Sequence, residues 1–233
     1  MCVAAIAWAA HPRWRLVAIG NRDEFHTRPT APLAAWDNGI IAGQDLEAGG
    51  TWLGVHPAGR FALVTNLRMP GYPLPGLASR GALVTDGLLG QSPQPAPACN
   101  PFNLWLADGH VLRFASNHPE WTEHDLQPGV HGLSNGARGD RWFKTARLEV
   151  ALAAWLERDQ PVERLFAALR DQTPQSPDPE DAFSPVFIAN PAYGTRCSTV
   201  VLVDDEGQGR IIERSFEAGG FLTSEVGIAF SWT

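Results

Sequence analysis

Short apolar runs typical of β-strands dominate the chain. Two of them, residues 2–8 and 15–20, flank the connection Ala9–Trp14 and predict an antiparallel hairpin. Both faces of the first run are apolar, which predicts a strand inside the protein. Further strands are predicted at Thr51–Val55, Arg60–Thr65, Phe102–Ala107, His110–Ala115, Val130–Leu133, Val186–Ala189, Ser198–Val203 and Gly209–Ser215.

Three segments have the pattern of helices. Ser79 is suited to cap a short helix within Ser79–Leu89. The range Arg141–Asp159 follows a candidate cap at Asp140 and carries an apolar stripe at helical spacing. Pro161 precedes a third segment, Val162–Arg170, because proline favours the first turn of a helix.

The order of these elements predicts one domain. Proline-rich stretches at 92–101 and 174–185 indicate loops, and neither is long enough to mark a domain boundary. No internal repeat is visible in the sequence. Strands, a helix, strands, two helices and strands follow one another, which predicts a mixed α+β domain over residues 1–233.

The charge of the chain limits its partners. Lys+Arg number 18 against 25 Asp+Glu, for a formal net charge of −7, so nucleic acid and anionic membranes are unfavourable partners. Lys144 is the one lysine and follows no glycine-rich loop. This excludes a phosphate-binding P-loop and disfavours Schiff-base chemistry.

Cysteine usage and hydropathy indicate a compartment. The three cysteines, Cys2, Cys99 and Cys197, form no C-x-x-C pair and no even set, which favours a reducing environment. The apolar start lacks a basic region and ends within about ten residues. No run reaches the ~20 apolar residues of a membrane span. We therefore expect a cytoplasmic protein without a transmembrane segment.

Cys2 is the residue that best suggests a reaction. Methionine before a residue as small as cysteine is normally removed during synthesis, which would leave Cys2 with a free α-amine. That amine has an ordinary pKa of about 7.7–8.0 and can act as a base toward the thiol of the same residue. The alternative is that Cys2 is only a small apolar residue of a strand.

The predicted hairpin brings charged residues to this thiol. A turn between His11 and Pro12 pairs residues whose numbers sum to about 23, which places Cys2 opposite Asn21. Arg22 and Asp23 follow directly. The arginine would lower the pKa of the thiol, and the carboxylate would hold the ammonium. The alternative is a solvated charged turn after the strand.

Other motifs are less favourable. Gly132–Gly136 fits the G-x-S-x-G pattern of a serine hydrolase, but that class needs a histidine after the serine, and all seven histidines lie at or before His131. No histidines or cysteines have metal-ligand spacing. Gly49–Gly54 lacks the setting of a dinucleotide site. We therefore expect no metal and no cofactor, although nine tryptophans could line an apolar-ligand pocket.

Several of these motifs together resemble the NRDE family, the family of the transport and Golgi organisation 2 homologs. The similarity covers essentially the whole chain, and the block from 21 to 54 is the most specific part. The motifs are Met1-Cys2, Asn21–Glu24, Arg28–Pro32, Ala42–Asp45, Gly49–Gly54, Thr65-Asn66, Ser79–Gly81, Gly132–Asn135 and Thr195–Thr199.

The resemblance implies a fold and a site. The family is similar to N-terminal nucleophile hydrolases, whose fold is a four-layer αββα sandwich. By that similarity Cys2 is nucleophile and base, Arg22 and Asp23 activate it, and Asn66 donates to the oxyanion. Asn135 and Arg196 correspond to the later asparagine and arginine, although Arg22 and Asp23 are adjacent here rather than a few residues apart. We add Asn21 and Trp52 as candidate substrate-binding residues.

Two functions remain open from the sequence. The first is hydrolysis of an amide or ester of a small molecule through a Cys2 thioester. The second follows from eukaryotic relatives connected with haem movement and lipid homeostasis, and it is the binding and trafficking of haem or an acyl ligand on the same fold. The Cys-Pro motif of some haem proteins is absent from the sequence.

Overall fold

The architecture is described from a computed structural model, which covers residues 2–91, 98–137, 139–140, 142–158, 160–178 and 181–232. The described part contains thirteen strands and three α-helices. The strands are Cys2–His11 (β1), Trp14–Phe25 (β2), Thr30–Ala35 (β3), Ile41–Asp45 (β4), Leu53–His56 (β5), Arg60–Asn66 (β6), Phe102–Ala107 (β7), Leu112–Ser116 (β8), Thr122–Leu126 (β9), Gly129–Leu133 (β10), Tyr193–Asp204 (β11), Gln208–Phe216 (β12) and Leu222–Ser231 (β13). The helices are Arg80–Leu88 (α1), Phe143–Arg158 (α2) and Glu163–Leu169 (α3).

These strands form two antiparallel sheets. The first has six strands in the order β10-β1-β2-β11-β12-β13, and the second has seven in the order β3-β4-β5-β6-β7-β8-β9. One apolar cluster joins the facing sides of the two sheets. A second cluster joins the outer side of the six-stranded sheet to α2 and α3, and a third joins the outer side of the seven-stranded sheet to α1. The layers therefore run helix, sheet, sheet, helix, which confirms the predicted αββα sandwich.

The first strand shows why both of its faces are apolar. Cys2, Ile6 and Trp8 belong to the cluster between the sheets. Val3 and Ala5, which alternate with them, belong to the cluster under α2 and α3. Because successive side chains of a strand point to opposite faces, β1 is buried from both sides, as its sequence predicts.

The helices lie close to the predicted ranges. The Ser79 hydroxyl accepts a hydrogen bond from Gly81 N and caps α1 as predicted. The middle helix begins at Phe143 rather than directly after Asp140, whose carboxylate accepts a hydrogen bond from Ala137 N instead. Some of the predicted positions lie outside the described residues. They are Arg141 and Asp159 at the ends of the middle helix, and positions 92–97 of the proline-rich stretch 92–101.

Some strand predictions are wrong. The range Val186–Ala189 forms only a single bridge, between Ala189 and Gly194. Strands β3, β4, β9 and β13 have no counterpart among the predicted ranges. Three of them lie at sheet edges, where one side of the strand has no neighbour and polar residues are tolerated, so the apolar pattern is weak.

Gly20 lies where the two sheets approach each other closely. A Cβ added at Gly20 would lie 2.9 Å from Trp52 Cη2 and 2.9 Å from Val3 O. We expect Gly20→Ala to lower the free energy of unfolding by about 1–3 kcal/mol, because overpacking displaces both neighbours. Urea denaturation measures this, with Val150→Ala on the exposed face of α2 as the control. Unchanged stability in Gly20→Ala would show that the sheets accommodate the methyl group.

Candidate active site

The pairing of β1 with β2 places an arginine beside Cys2. Cys2 lies opposite Arg22 and Val3 lies opposite Asn21, one residue away from the predicted register. The difference comes from the hairpin end, where the register shifts between Trp8 and His11 and Ala9 has a φ of 44°. Arg22 in turn lies opposite Cys197 on β11. Cys2, Arg22 and Cys197 therefore form a row across three neighbouring strands.

The main chain of Cys2 is held by the segment that follows β10. Cys2 N donates to Asn135 Oδ1 at 3.1 Å, and Ser134 Oγ donates to Cys2 O at 2.9 Å. The other end of the Asn135 amide donates to Asn66 O at 2.8 Å. Thus the Ser-Asn of the G-x-S-x-G segment binds the backbone of Cys2, and Ser134 is a site residue that the sequence analysis missed.

The side chains of Arg22 and Asp23 lie on opposite faces of the sheet because the two residues are adjacent on a strand. Arg22 lines the cavity between the sheets together with Cys2. The Asp23 carboxylate is 1% exposed and contacts the helix layer. Its Oδ1 accepts a hydrogen bond from Thr195 Oγ1 at 2.7 Å, and its Oδ2 lies 3.9 Å from Lys144 Nζ. Burial raises the pKa of Asp23, and the Lys144 charge opposes this rise.

Arg22 is anchored by a carboxylate of the opposite sheet. Its Nη2 donates to Asp45 Oδ2 at 3.1 Å, and Arg28 Nε donates to the same oxygen at 2.8 Å. Burial disfavours the Asp45 carboxylate, but the hydrogen bonds from Arg28 and from Ala48 N hold its pKa below the ordinary value. Arg22 Nη1 is buried without a hydrogen-bond partner among the described residues, which leaves one donor available to a group in the cavity.

The pKa of the Cys2 thiol is raised, contrary to the prediction from Arg22. The thiol is buried, with Cys2 only 6% exposed, and burial is the largest influence on its pKa. The Asp23 charge raises the pKa further, whereas Arg22 and a hydrogen bond from the Asp23 backbone lower it without compensating. The resting thiol is therefore protonated near neutral pH and needs a base before it can attack.

A cavity of about 640 Å³ opens beside Cys2 between the two sheets. Five more of the predicted site residues line it, and Cys197 and Arg80 do so as well. The five are Arg22, Trp52, Asn66 and Arg196, together with Asp23, which borders the cavity although its carboxylate pairs with Lys144 on the helix side. Trp52 is 7% exposed and packs toward Gly20. The cavity can therefore admit a small molecule to the thiol, with charged and aromatic groups around it.

Asn21 lies away from this cavity. Its amide nitrogen donates to Leu169 O and Val186 O, both at 2.8 Å, and its oxygen accepts from Ser198 Oγ at 2.6 Å. Since Arg22 faces the cavity and successive side chains of a strand alternate, Asn21 faces the helix layer. It connects the end of α3 to the sheet and is not among the residues that line the cavity, so its predicted role in substrate binding stays a prediction.

Arg196 lines the cavity, but its guanidinium binds the chain between β2 and β3. Its Nη1 donates to Phe25 O and Arg28 O, both at 2.9 Å, and its Nη2 donates to Thr30 Oγ1 at 3.2 Å. Arg196 is the extra residue where the register of β11 against β2 shifts between Thr195 and Cys197. Bulges of this kind redirect a side chain, and here the redirected arginine shapes the rim.

Arg80 is a cavity residue that the sequence analysis quoted only as part of a motif. It begins α1, donates from Nη1 to Pro101 O at 3.2 Å, and its charge interacts with Cys2. The contact of Gly50 with Gly81 positions this helix end, because a Cβ at Gly50 would lie 2.6 Å from Gly81 C. The two glycine motifs of the sequence therefore meet at the rim of the cavity.

Neither a metal cluster nor a membrane-spanning helix occurs in the described ranges. No three His, Cys, Asp or Glu side chains there converge to hold a metal ion. None of the helices in those ranges is both long and apolar enough to cross a membrane.

Comparison with known proteins identifies the family of the chain. The family model "Transport and Golgi organisation 2" matches residues 1–218. The human Transport and Golgi organization protein 2 homolog is 32% identical over 257 residues, which cover 92% of this chain and 93% of the relative. The Drosophila melanogaster protein is 28% identical over 261 residues, which cover 92% of each.

Two hydrolase structures share the fold at low sequence identity. A mutant of conjugated bile acid hydrolase from Clostridium perfringens has a TM-score of 0.53 and 10% identity, and the match covers 98% of this chain and 92% of that one. The Caenorhabditis elegans ortholog of N-acylethanolamine-hydrolyzing acid amidase has a TM-score of 0.50 and 12% identity, with 86% and 92% covered. The fold is thus that of the N-terminal nucleophile hydrolases, and the chain belongs to the Transport and Golgi organisation 2 family.

Proposed function

We propose that this protein is an N-terminal cysteine hydrolase that cleaves an amide or ester of a small molecule by acyl transfer through Cys2. The observation that carries the proposal is the hydrogen bond of 3.1 Å from Cys2 N to Asn135 Oδ1, at the start of a strand whose thiol reaches a cavity. Removal of Met1, which lies outside the described residues, would turn this held nitrogen into an α-amine beside the thiol.

The reaction begins with a proton transfer within Cys2. The α-amine takes the thiol proton, and the sulfur attacks the carbonyl carbon of the substrate, so that a C–S bond forms and the carbonyl electron pair moves to oxygen. Collapse of this intermediate breaks the bond to the leaving amine or alcohol, which takes the proton from the α-ammonium. Water then hydrolyses the thioester and restores the thiol.

Arg22, Asn66 and Asn135 have separate roles in this proposal. Arg22, opposite Cys2, favours the thiolate as it forms. The Asn66 side chain lines the cavity and donates to the oxyanion, while its main-chain oxygen is already bound by Asn135 Nδ2. Asn135 orients the nitrogen of Cys2 so that its lone pair is available to the thiol. Arg196 shapes the cavity rim, and Trp52 offers an apolar surface to the substrate.

The fold supports hydrolysis of a small molecule. Of the two structures reported above, one is named as a conjugated bile acid hydrolase and the other as an acid amidase that hydrolyses N-acylethanolamines. The substrate of this protein is proposed only as an amide or ester. We also propose a cytoplasmic location, because the three cysteines are buried and form no disulfide, as suits a reducing compartment.

Ligand binding without turnover is the competing function, and one observation favours it. A carrier needs no reactive thiol, and burial raises the pKa of Cys2. In this case haem or an acyl ligand would occupy the cavity between the sheets and Cys2 would be a wall residue. A protein that binds such a ligand tightly, but forms no covalent adduct with an activated ester, would fulfil this alternative.

The processing of the N-terminus is the first test. We expect the purified native chain to begin at Cys2 with a free amine, because Cys2 is small enough for removal of Met1. Intact-mass spectrometry measures this directly. A retained Met1 or a blocked amine would eliminate the base and contradict the proposed hydrolase.

The pH dependence of Cys2 alkylation is the second test. Because burial raises the pKa of the thiol while Arg22 lowers it, we expect iodoacetamide to react with a midpoint above the ordinary value of about 8.5. Arg22→Gln should move the midpoint higher still. A background of Cys99→Ala and Cys197→Ala isolates the signal, and Cys2→Ser is the blank. A midpoint below the ordinary value, or one that Arg22→Gln leaves unmoved, would contradict this electrostatic description.

The variants Asn66→Ala and Asn135→Ala are a matched pair that separates turnover from the reactivity of Cys2. Asn66→Ala keeps the main-chain oxygen that Asn135 binds, so alkylation of Cys2 should persist while turnover of an activated ester falls by about 10²–10³. Asn135→Ala removes the acceptor of Cys2 N and should impair both reactions. Stopped-flow acylation and intact-mass detection of the thioester separate the two effects. Equal turnover in Asn66→Ala and the native protein would assign Asn66 to structure.

A further inference from the structure

The lone lysine of the chain is buried beneath the Cys2 strand. Lys144 lies in the first turn of α2 and is 1% exposed, and no other lysine occurs in the sequence. Lysine is almost never fully buried unless it is paired. The α2 helix packs against β1 and β10, the two strands that carry and flank Cys2. A buried cation at this place therefore calls for a physical reason.

The partner of Lys144 is the Asp23 carboxylate. Lys144 Nζ lies 3.9 Å from Asp23 Oδ2, which is the distance of an ion pair rather than of a hydrogen bond. No hydrogen-bond acceptor lies within reach of Nζ in the part of the chain that the structure describes. Burial lowers the pKa of Lys144, and the Asp23 charge opposes that change. Each charge therefore favours the ionised form of the other, whereas burial acts against both.

This ion pair lies close enough to Cys2 for both of its charges to act on the thiol. Cys2 is paired with Arg22, and the backbone of Asp23, the next residue of β2, donates a hydrogen bond to the Cys2 thiol. The α-amine of the processed chain would be the nitrogen of Cys2. The charged and titratable groups that act on the site are the Cys2 thiol from β1, Arg22 and Asp23 from β2, Arg68 after β6, and Arg80 from α1. Among them Asp23 is the one carboxylate placed to stabilise an ammonium at Cys2.

We propose that Lys144 is a positioning residue that acts through Asp23 to keep the amine of Cys2 unprotonated and hence available as the base, an inference that rests on the proposed hydrolase. With Lys144 charged, the Asp23 carboxylate already has a cation and attracts the Cys2 ammonium only weakly. Without Lys144, the ammonium would become the cation nearest to Asp23 on this face of the sheet, and protonation of the amine would be favoured.

The first measurement determines the charge of Lys144 in the native protein. It is possible because the sequence contains a single lysine. Growth with lysine labelled with ¹³C at Cε gives one side-chain signal, whose chemical shift against pH reports the charge of Lys144. The proposal requires a charged Lys144 at pH 7. A neutral Lys144 at that pH would overturn it, and this measurement needs no variant that could fail to fold.

The second measurement follows the Cys2 amine in a set of variants. With ¹³C-labelled cysteine in the Cys99→Ala/Cys197→Ala background, the Cys2 signals report its titration. Lys144→Met should raise the pKa of the amine by about one unit or more. Lys144→Arg, which keeps the charge, and the double variant Lys144→Met/Asp23→Asn, which removes both charges, should each return it toward the native value.

The outcomes separate this inference from the proposed function. An amine that titrates identically in the native protein and in folded Lys144→Met contradicts the role of Lys144, whether or not an acyl-enzyme forms. A shift that persists in the double variant contradicts the route through Asp23. A chain that retains Met1, which intact mass detects, would overturn both proposals. Failure to find a substrate would leave the titration as a valid test of Lys144, because it uses no substrate.

Discussion

The antiparallel pairing of β1 on both of its edges is the interaction on which the candidate site depends. On one edge β2 places Arg22 opposite Cys2, and on the other β10 leads into Ser134 and Asn135. These two residues then bind the oxygen and the nitrogen of Cys2. Cys2 thus lies at the start of an interior strand, the second of the six in its sheet. The nucleophile of the proposed reaction is therefore held by backbone pairing rather than by its own side chain.

Side chains alternate between the two faces of a strand, so consecutive residues of the segment from Asn21 to Asp23 lie on opposite sides of the sheet. Arg22 faces the cavity, while Asn21 and Asp23 face the helices. This alternation explains how Arg22 and Asp23, although adjacent in sequence, can both act on Cys2 from different sides. Arg22 approaches the thiol from the side of the cavity. The Asp23 carboxylate lies on the helix side of the strand, where it pairs with Lys144.

Burial governs the electrostatics of this site more than any single charge. It raises the pKa of the Cys2 thiol despite Arg22, and it raises the pKa of Asp23 despite Lys144. A protonated thiol at rest agrees with a mechanism in which a neighbouring base removes the proton at the moment of attack. The same burial requires that each ionised group has a partner. This requirement connects Asp45 with Arg22 and Arg28, and Asp23 with Lys144.

The sequence by itself determined the elements with strong local patterns and the residues carried by family motifs. The doubly apolar β1, the Ser79 cap and the amphipathic α2 follow from short-range chemistry, and all are observed. The αββα layers and the position of Cys2 followed from the resemblance. Edge strands such as β3 and β13 escaped prediction because their exposed sides carry little apolar signal.

Only the tertiary structure decided which face each side chain serves and which distant residues meet. A register shift near Ala9 moved the partner of Cys2 from Asn21 to Arg22, and one such step exchanges the two faces of a strand. A bulge at Arg196 turned its guanidinium to the rim. Lys144 lies 121 positions after Asp23 in the sequence, and no local pattern relates them. Their approach depends on the packing of α2 across the sheet, which long-range burial determines.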